Sequence, residues 1–357
     1  MRLGIIGLPN SGKTTIFNAL TNSNLPTGAG SSGQMEIHTA VVSVPDERID
    51  RLSAMYKPKK TIYTQVTYVD IGGLDKGVSE GGLKGQLRNE LAQLDGFVHV
   101  ARAFEDENVP HPYDSVDAQR DVETLDTEFI LSDLISVENR LGKIDDELKR
   151  KGRTADPNIL KEQETLFKLK EALENETPLR DIELTEAELK PLRGYGFLSL
   201  KPTLIVLNAD EASANATMPY DHAKSAVVSI QGKIEAELAQ LPAEDAQMFM
   251  EEYGITELSA ARVIRLSYET LNIQAFFTVG PDEVRAWSVA VGATAPEAAA
   301  AIHSDLQKGF IRAEVMAYED LLTLGSEAAM KQAGKLRLEG KEYIVKDGDI
   351  VHIRSGL

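Results

Sequence analysis

The 357-residue chain contains no cysteine at all. That excludes disulfides and thiolate metal sites, and it fits a reducing compartment. Tryptophan is nearly absent too, with Trp287 the only one. No apolar run is long enough to span a bilayer, and the first residues enter a strand pattern with no leader-like segment. These features predict a cytoplasmic protein with no membrane partner. Basic residues are outnumbered, 38 Lys and Arg against 56 Asp and Glu, for a formal net charge of −18. A chain of that sign is repelled by nucleic acid as a whole, so DNA is not an expected partner. Any RNA contact must come from local basic patches. The length suffices for two or three domains.

The most telling segment is Gly7-Leu8-Pro9-Asn10-Ser11-Gly12-Lys13-Thr14. It fits the phosphate-loop pattern G-x-x-x-x-G-K-[ST]. The apolar run Met1 to Ile6 before it reads as a buried strand, and Thr15 to Leu20 after it reads as a helix start. The glycines let backbone N–H groups, those of Ser11 and Gly12 among them, curl around phosphate at a helix N-terminus. Lys13 then reaches the β- and γ-phosphates, and the Thr14 hydroxyl sits on Mg²⁺, with Thr15 beside it.

A second motif follows a β-rich stretch, Thr61 to Asp70, read as one strand. It ends in Asp70-Ile71-Gly72-Gly73, a D-x-x-G. In P-loop GTPase-like folds the Asp holds a water on Mg²⁺ and the Gly N–H meets the γ-phosphate. Gly77 through Gly85 is rich in glycine and reads either as a switch loop or as a plain surface loop.

A third motif reads the base. The apolar strand Lys201 to Leu207 ends in Asn208-Ala209-Asp210-Glu211. GTPases carry N-K-x-D here, where the Asp takes two guanine hydrogens and the Lys stem covers the ring. Ala209 removes the stem, and Glu211 is one methylene too long for the bidentate contact. Unpaired polar edges cost discrimination, so the segment argues against guanine and permits adenine. Asp210 is out of register and expected to face solvent. Backbone at Ala209 and the loop around Gln231-Gly232 are further candidates for reading adenine.

With Gly7 to Thr15, Val44-Pro45-Asp46, Val69 to Leu74 and Asn208 to Glu211 in place, the chain resembles the YchF or Obg-like ATPases. The likeness extends over nearly the whole chain. It implies an α/β P-loop NTPase fold, a mostly parallel sheet flanked by helices. It also implies an inserted antiparallel coiled-coil arm and a C-terminal β-grasp-like TGS domain. The implied activity is slow, Mg²⁺-dependent ATP hydrolysis by a nucleotide switch linked to the ribosome or ribosomal RNA. An Obg-type GTPase and a nucleotide-binding module with little hydrolysis stand as alternatives.

Leu74 occupies the place where many GTPases orient water with Gln. The resemblance points instead to His111 as the catalytic group, against the plainer reading of a loop histidine bonding backbone. It also makes Asn10 a K⁺ ligand. The family's first-switch Thr, which completes Mg²⁺ coordination, is replaced by Gln34.

Between Val100 and Lys201, Ile130, Leu134, Val137, Leu141, Ile144 and Leu148 form a heptad seam. Ile159, Leu166, Leu169 and Leu173 supply a second face, with a basic tip at Lys149 to Arg153. The tip reads as an RNA-touching surface or as an ordinary solvated turn. The expected organisation is a nucleotide-binding domain over 1–275, its helical insertion over about 125–195, and the TGS domain over 276–355. In the last, Lys308, Arg312, Lys335, Arg337 and Lys341 read as a basic face or, more simply, as an ordinary mixed-charge surface.

Overall fold

The computed structural model describes residues 1–27, 37–71, 83, 85–151, 157–252 and 258–356. The chain divides into two compact units, Met1–Val41 with Thr67–Val263, and Val42–Val66 with Ile264–Leu357.

The first unit is built on a six-stranded sheet. Its strands are β1 (Arg2–Ile6), β2 (Ile37–Ser43), β4 (Gln65–Ile71), β5 (Gly96–Arg102), β6 (Thr203–Asn208) and β7 (Ser225–Ile230). The spatial order is β2-β4-β1-β5-β6-β7. The β4-β1, β1-β5, β5-β6 and β6-β7 pairs are all parallel. The inner strands β5 and β6 are buried at every position, as a sheet covered on both faces requires. This is the α/β P-loop NTPase arrangement expected from the motifs. The loops at the carboxyl ends of β1, β4, β5 and β6 therefore converge.

The insertion is a helical hairpin of Ala118–Lys151 and Pro157–Glu174. The seam packs as its period predicts: Val137, Ile144, Leu166 and Leu169 are fully buried among Ile130, Leu141 and Leu173. Arg140 pairs with Glu162 and Lys170 with Glu138, so the two helices run antiparallel. Asp133 anchors the hairpin's root. Its carboxylate accepts from the N–H groups of Leu198 (2.9 Å) and Ser199 (2.7 Å) and from the Ser199 hydroxyl (2.7 Å). Of the basic tip, Gly152 and Arg153 lie outside the described residues, and Arg150 donates to the Asp146 carbonyl.

The second unit holds a sheet of β3 (Lys60–Ile62), β8 (Ile273–Thr278), β9 (Glu283–Ala290), β10 (Phe310–Ala317), β11 (Arg337–Glu339) and β12 (Asp349–Ser355). Its order is β11-β10-β12-β8-β9-β3. Two details differ from the sequence reading. Thr61 to Asp70 is not one strand: Lys60–Ile62 pairs with β9, and the chain re-enters extended structure only at Gln65. Residues 42–66 also cluster with this unit, because Ile49 and Leu52 of the Glu47–Tyr56 helix are fully buried against Phe277, Val284, Met316, Leu321 and Ile350. Arg48 reinforces that packing through Asp347 at 2.6 Å. The helix Ala295–Ile302 ends at His303, which caps a second helix, Ser304–Lys308. The candidate basic residues favour the mixed-charge reading, since Lys308 pairs with Asp305, Lys335 with Asp320, and Arg337 with Glu339 and Asp349.

Candidate nucleotide site

The phosphate loop leaves β1 through two glycines with positive φ, Gly7 at 147° and Gly12 at 91°. A Cβ on Gly7 would overlap the Val100 carbonyl, and one on Gly12 the Asn208 amide. Both positions need glycine for conformation and for room. The helix Lys13–Thr21 starts with no side-chain cap and no acidic residue in its first turn. Its leading N–H groups and positive dipole end suit an anion. Lys13 Nζ lies over the loop, donating to the carbonyls of Gly7 (3.1 Å) and Leu8 (2.9 Å). Thr15 is half-buried in the same turn.

Thr14 Oγ1 donates to Asp70 Oδ2 at 2.9 Å. The two expected Mg²⁺-side groups, 56 residues apart, are thus brought into contact. A hydroxyl and a carboxylate are hard oxygen donors, the kind Mg²⁺ takes together with water and phosphate oxygens. No group of three or more His, Cys, Asp or Glu forms a metal cage among the described residues. Ser11 Oγ is buried, with the residue 2% exposed, and has no hydrogen-bond partner among the described residues. An orphaned hydroxyl inside the glycine cradle fits a triphosphate and its cation.

At the base end, Asn208 Nδ2 donates to the Ser11 carbonyl at 2.9 Å, which ties β6 to the phosphate loop. A Cβ on Gly232 would come within 2.6 Å of Asn208 Oδ1, so this neighbour also needs to be small. Ala209 is 5% exposed and presents no side-chain stem. Glu211 is exposed. Asp210 does not simply face solvent. Its carboxylate accepts from the N–H (2.9 Å) and hydroxyl (2.7 Å) of Ser213 and from the N–H of Glu105 (3.3 Å). These bonds hold its pKa below the usual carboxylate range, Ser213 first among them. Gln231 Nε2 reaches the Asp210 carbonyl at 3.4 Å. So Asn208, Ala209, Asp210 and Gln231 form one connected edge.

His111 sits in the loop after β5. Its Nδ1 accepts from the Tyr113 N–H (3.2 Å), and its Nε2 lies 2.8 Å from Asp121 Oδ2. The ring is therefore the Nε2–H tautomer donating to Asp121, assigned from its partners. The side chain is 5% exposed, and both ring nitrogens are engaged within the protein. The phosphate loop reaches this segment through Asn10, at φ 60°, whose Nδ2 donates to the Pro110 carbonyl at 2.9 Å. Gly73, Leu74 and Gln34 lie outside the described residues.

Two buried charges escaped sequence reasoning. Arg102, a cation ending the otherwise apolar strand β5, is buried in register with Asn208 of β6. Asp133 falls three residues after Ile130 and four before Val137, on the buried face of the seam. A charge at a core position was the signal in each case.

Residues 2–159 match a family model described as "50S ribosome-binding GTPase". Residues 273–356 match a model named YchF-GTPase_C and described as "Protein of unknown function (DUF933)". The chain is 42% identical to the ribosome-binding ATPase YchF of Bacillus subtilis, over 98% of each chain. It is 41% identical to that of Haemophilus ducreyi, over 99% of this chain and 98% of the other. Its fold is similar to the YchF GTPase of Schizosaccharomyces pombe, with a TM-score of 0.82, 31% identity, and 99% and 97% of the two chains covered. A GTP-binding protein of Pyrococcus horikoshii shares the fold at a TM-score of 0.56 and 17% identity, over 99% of this chain and 100% of the other. On the phosphate loop, the Thr14–Asp70 contact and this full-length likeness, the chain belongs to the YchF family of P-loop NTPases.

Proposed function

We propose that the protein binds MgATP in preference to MgGTP, hydrolyses it slowly, and uses the difference between the two states as a switch on the ribosome. The observation that carries the adenine preference is the base edge. Ala209 is buried without a stem and Glu211 stands exposed, so the two-point guanine clamp of N-K-x-D has no equivalent. Asn10, Ser11, Gly12, Lys13, Thr14 and Thr15 would hold the triphosphate, with Gly73 at the γ-phosphate. Asn208, Ala209, Glu211 and Gln231 would border the base. Thr14 would ligate Mg²⁺ directly, and Asp70 through water. The cation would neutralise charge building on the β- and γ-phosphate oxygens. Asn10 is the K⁺ candidate: its amide nitrogen is taken by Pro110, which leaves the amide oxygen as the ligand atom.

The ribosome enters because the curated relatives are named ribosome-binding ATPases. The hairpin and the C-terminal TGS-like module are the surfaces we assign to it. We place the protein in the cytoplasm on the same ground; no described helix is long and apolar enough to cross a membrane. A second reading, nucleotide binding with little hydrolysis, is favoured by one observation: both nitrogens of His111 are engaged. Single-turnover hydrolysis of ATP with and without ribosomes separates the two. Ribosome-stimulated turnover supports the switch, and its absence supports the silent binder. Competition by GTP equal to that by ATP would return the chain to the Obg-type GTPases.

A further inference from the structure

Residues 103–110 touch both ends of the site. The segment starts where the Ala103 N–H donates to the Asn208 carbonyl at 2.9 Å. The Glu105 N–H then donates to Asp210 in the base edge, and the Pro110 carbonyl accepts from Asn10 in the phosphate loop. The segment between is shaped by one side chain. Arg102 is 2% exposed, and its guanidinium donates to the carbonyls of Phe104 (3.1 Å), Asp106 (3.3 Å) and Val109 (2.8 Å). It also stacks 4.4 Å from the Phe104 ring centroid. A buried guanidinium directed at three carbonyls of one short segment fixes that segment's path. A lysine, with a single point of charge, cannot copy the fork.

We propose that residues 103–110 form a strap that couples the phosphate end of the nucleotide site to its base end, with Arg102 as the positioning residue that sets it. The proposal rests on the nucleotide-binding reading above. Its physical basis is contiguity: hydrogen bonds tie Asn10 to one end of the strap and Asp210, with Gln231, to the other, and the strap's own backbone joins them. Ordering one end restricts the other, and linkage makes the effect reciprocal. A phosphate ligand with no base at all should therefore tighten the base edge.

The test uses the intact wild-type protein and magnesium tripolyphosphate. Calorimetry establishes binding, and residue-resolved hydrogen exchange follows the Glu105 amide. Saturation should slow that amide about tenfold, the size of one hydrogen bond made more persistent. In Arg102→Lys, tripolyphosphate should still bind while the Glu105 amide no longer responds, and ATP affinity should fall by about tenfold. A role confined to stability would lower protection everywhere without removing the response to ligand. Tripolyphosphate bound with unchanged Glu105 exchange in the wild type overturns the strap alone. Failure of both ATP and tripolyphosphate to bind overturns the nucleotide reading and the strap with it.

Discussion

Individual side chains at the phosphate loop carry separable duties. Lys13 packs over backbone carbonyls of its own loop and contributes nothing to a hydrophobic cluster. Lys13→Ala should therefore remove tight ATP binding and leave the far-UV circular dichroism unchanged; unaltered ATP affinity by calorimetry would refute the assignment. Gly12→Ala acts differently. The new Cβ meets the Asn208 amide at a backbone angle that disfavours any side chain. It should cost about 1–3 kcal/mol of stability and ATP binding as well, read by urea unfolding and titration. Both glycines and Lys13 were legible because the motif states its own mechanics. Asp210 was not. Whether a carboxylate one place out of register meets solvent or closes a turn depends on Ser213 and on Glu105, which is distant in sequence.

The helical hairpin was legible as an element because its period writes the buried face directly into the sequence. Its attachment was not, since Asp133 is fixed by backbone donors that follow the second helix. The root and the distal hairpin should be separable. Replacing residues 142–164 by a short glycine linker preserves Asp133 and should leave ATP affinity within about twofold, because closing a surface loop perturbs the remote site little. A loss of ATP binding in that variant would make the distal hairpin part of the nucleotide unit. Burial drives the Asp133 pKa up to about 6, even against its three hydrogen bonds. The folded state then holds a proton that the unfolded chain, near 3.8, has released. The stability tied to that proton is full below pH 3.8 and is lost as the pH rises towards 6. His99 on β5 works in the opposite direction. Burial drives it down to about 4 from 6.5, so its share of stability is lost as the pH falls through that interval. Across pH 4–6, Asp133→Asn should therefore gain on the wild type as pH rises, and His99→Asn should gain as pH falls. Parallel pH profiles for variants and wild type, by chemical denaturation, would contradict both assignments.

At the scale of the molecule, the nucleotide unit could be read from the sequence because its motifs mark the carboxyl ends of β1, β4 and β6 in order. The second unit could be read only in part. Its C-terminal strands carry turn signals, such as Gly348 at φ 84° before β12, but its share of residues 42–66 has no local sign. Ile49 and Leu52 find Phe277 and Ile350 across more than 200 residues, a pairing that only the folded chain specifies. On the proposed reading the same separation would govern function: phosphate chemistry would lie in one continuous motif, whereas base choice would be assembled from Asn208 to Glu211 and Gln231. The direct test of the account is therefore paired calorimetric titration of MgATP and MgGTP on the wild type and on the double variant Ala209→Lys with Glu211→Asp. We expect the wild type to bind ATP more tightly. The double variant should raise GTP affinity relative to ATP by about tenfold or more, the ~1.4 kcal/mol that one recovered polar contact supplies. A wild type that binds GTP at least as well, or an affinity ratio that the double variant leaves unmoved, would contradict the central claim.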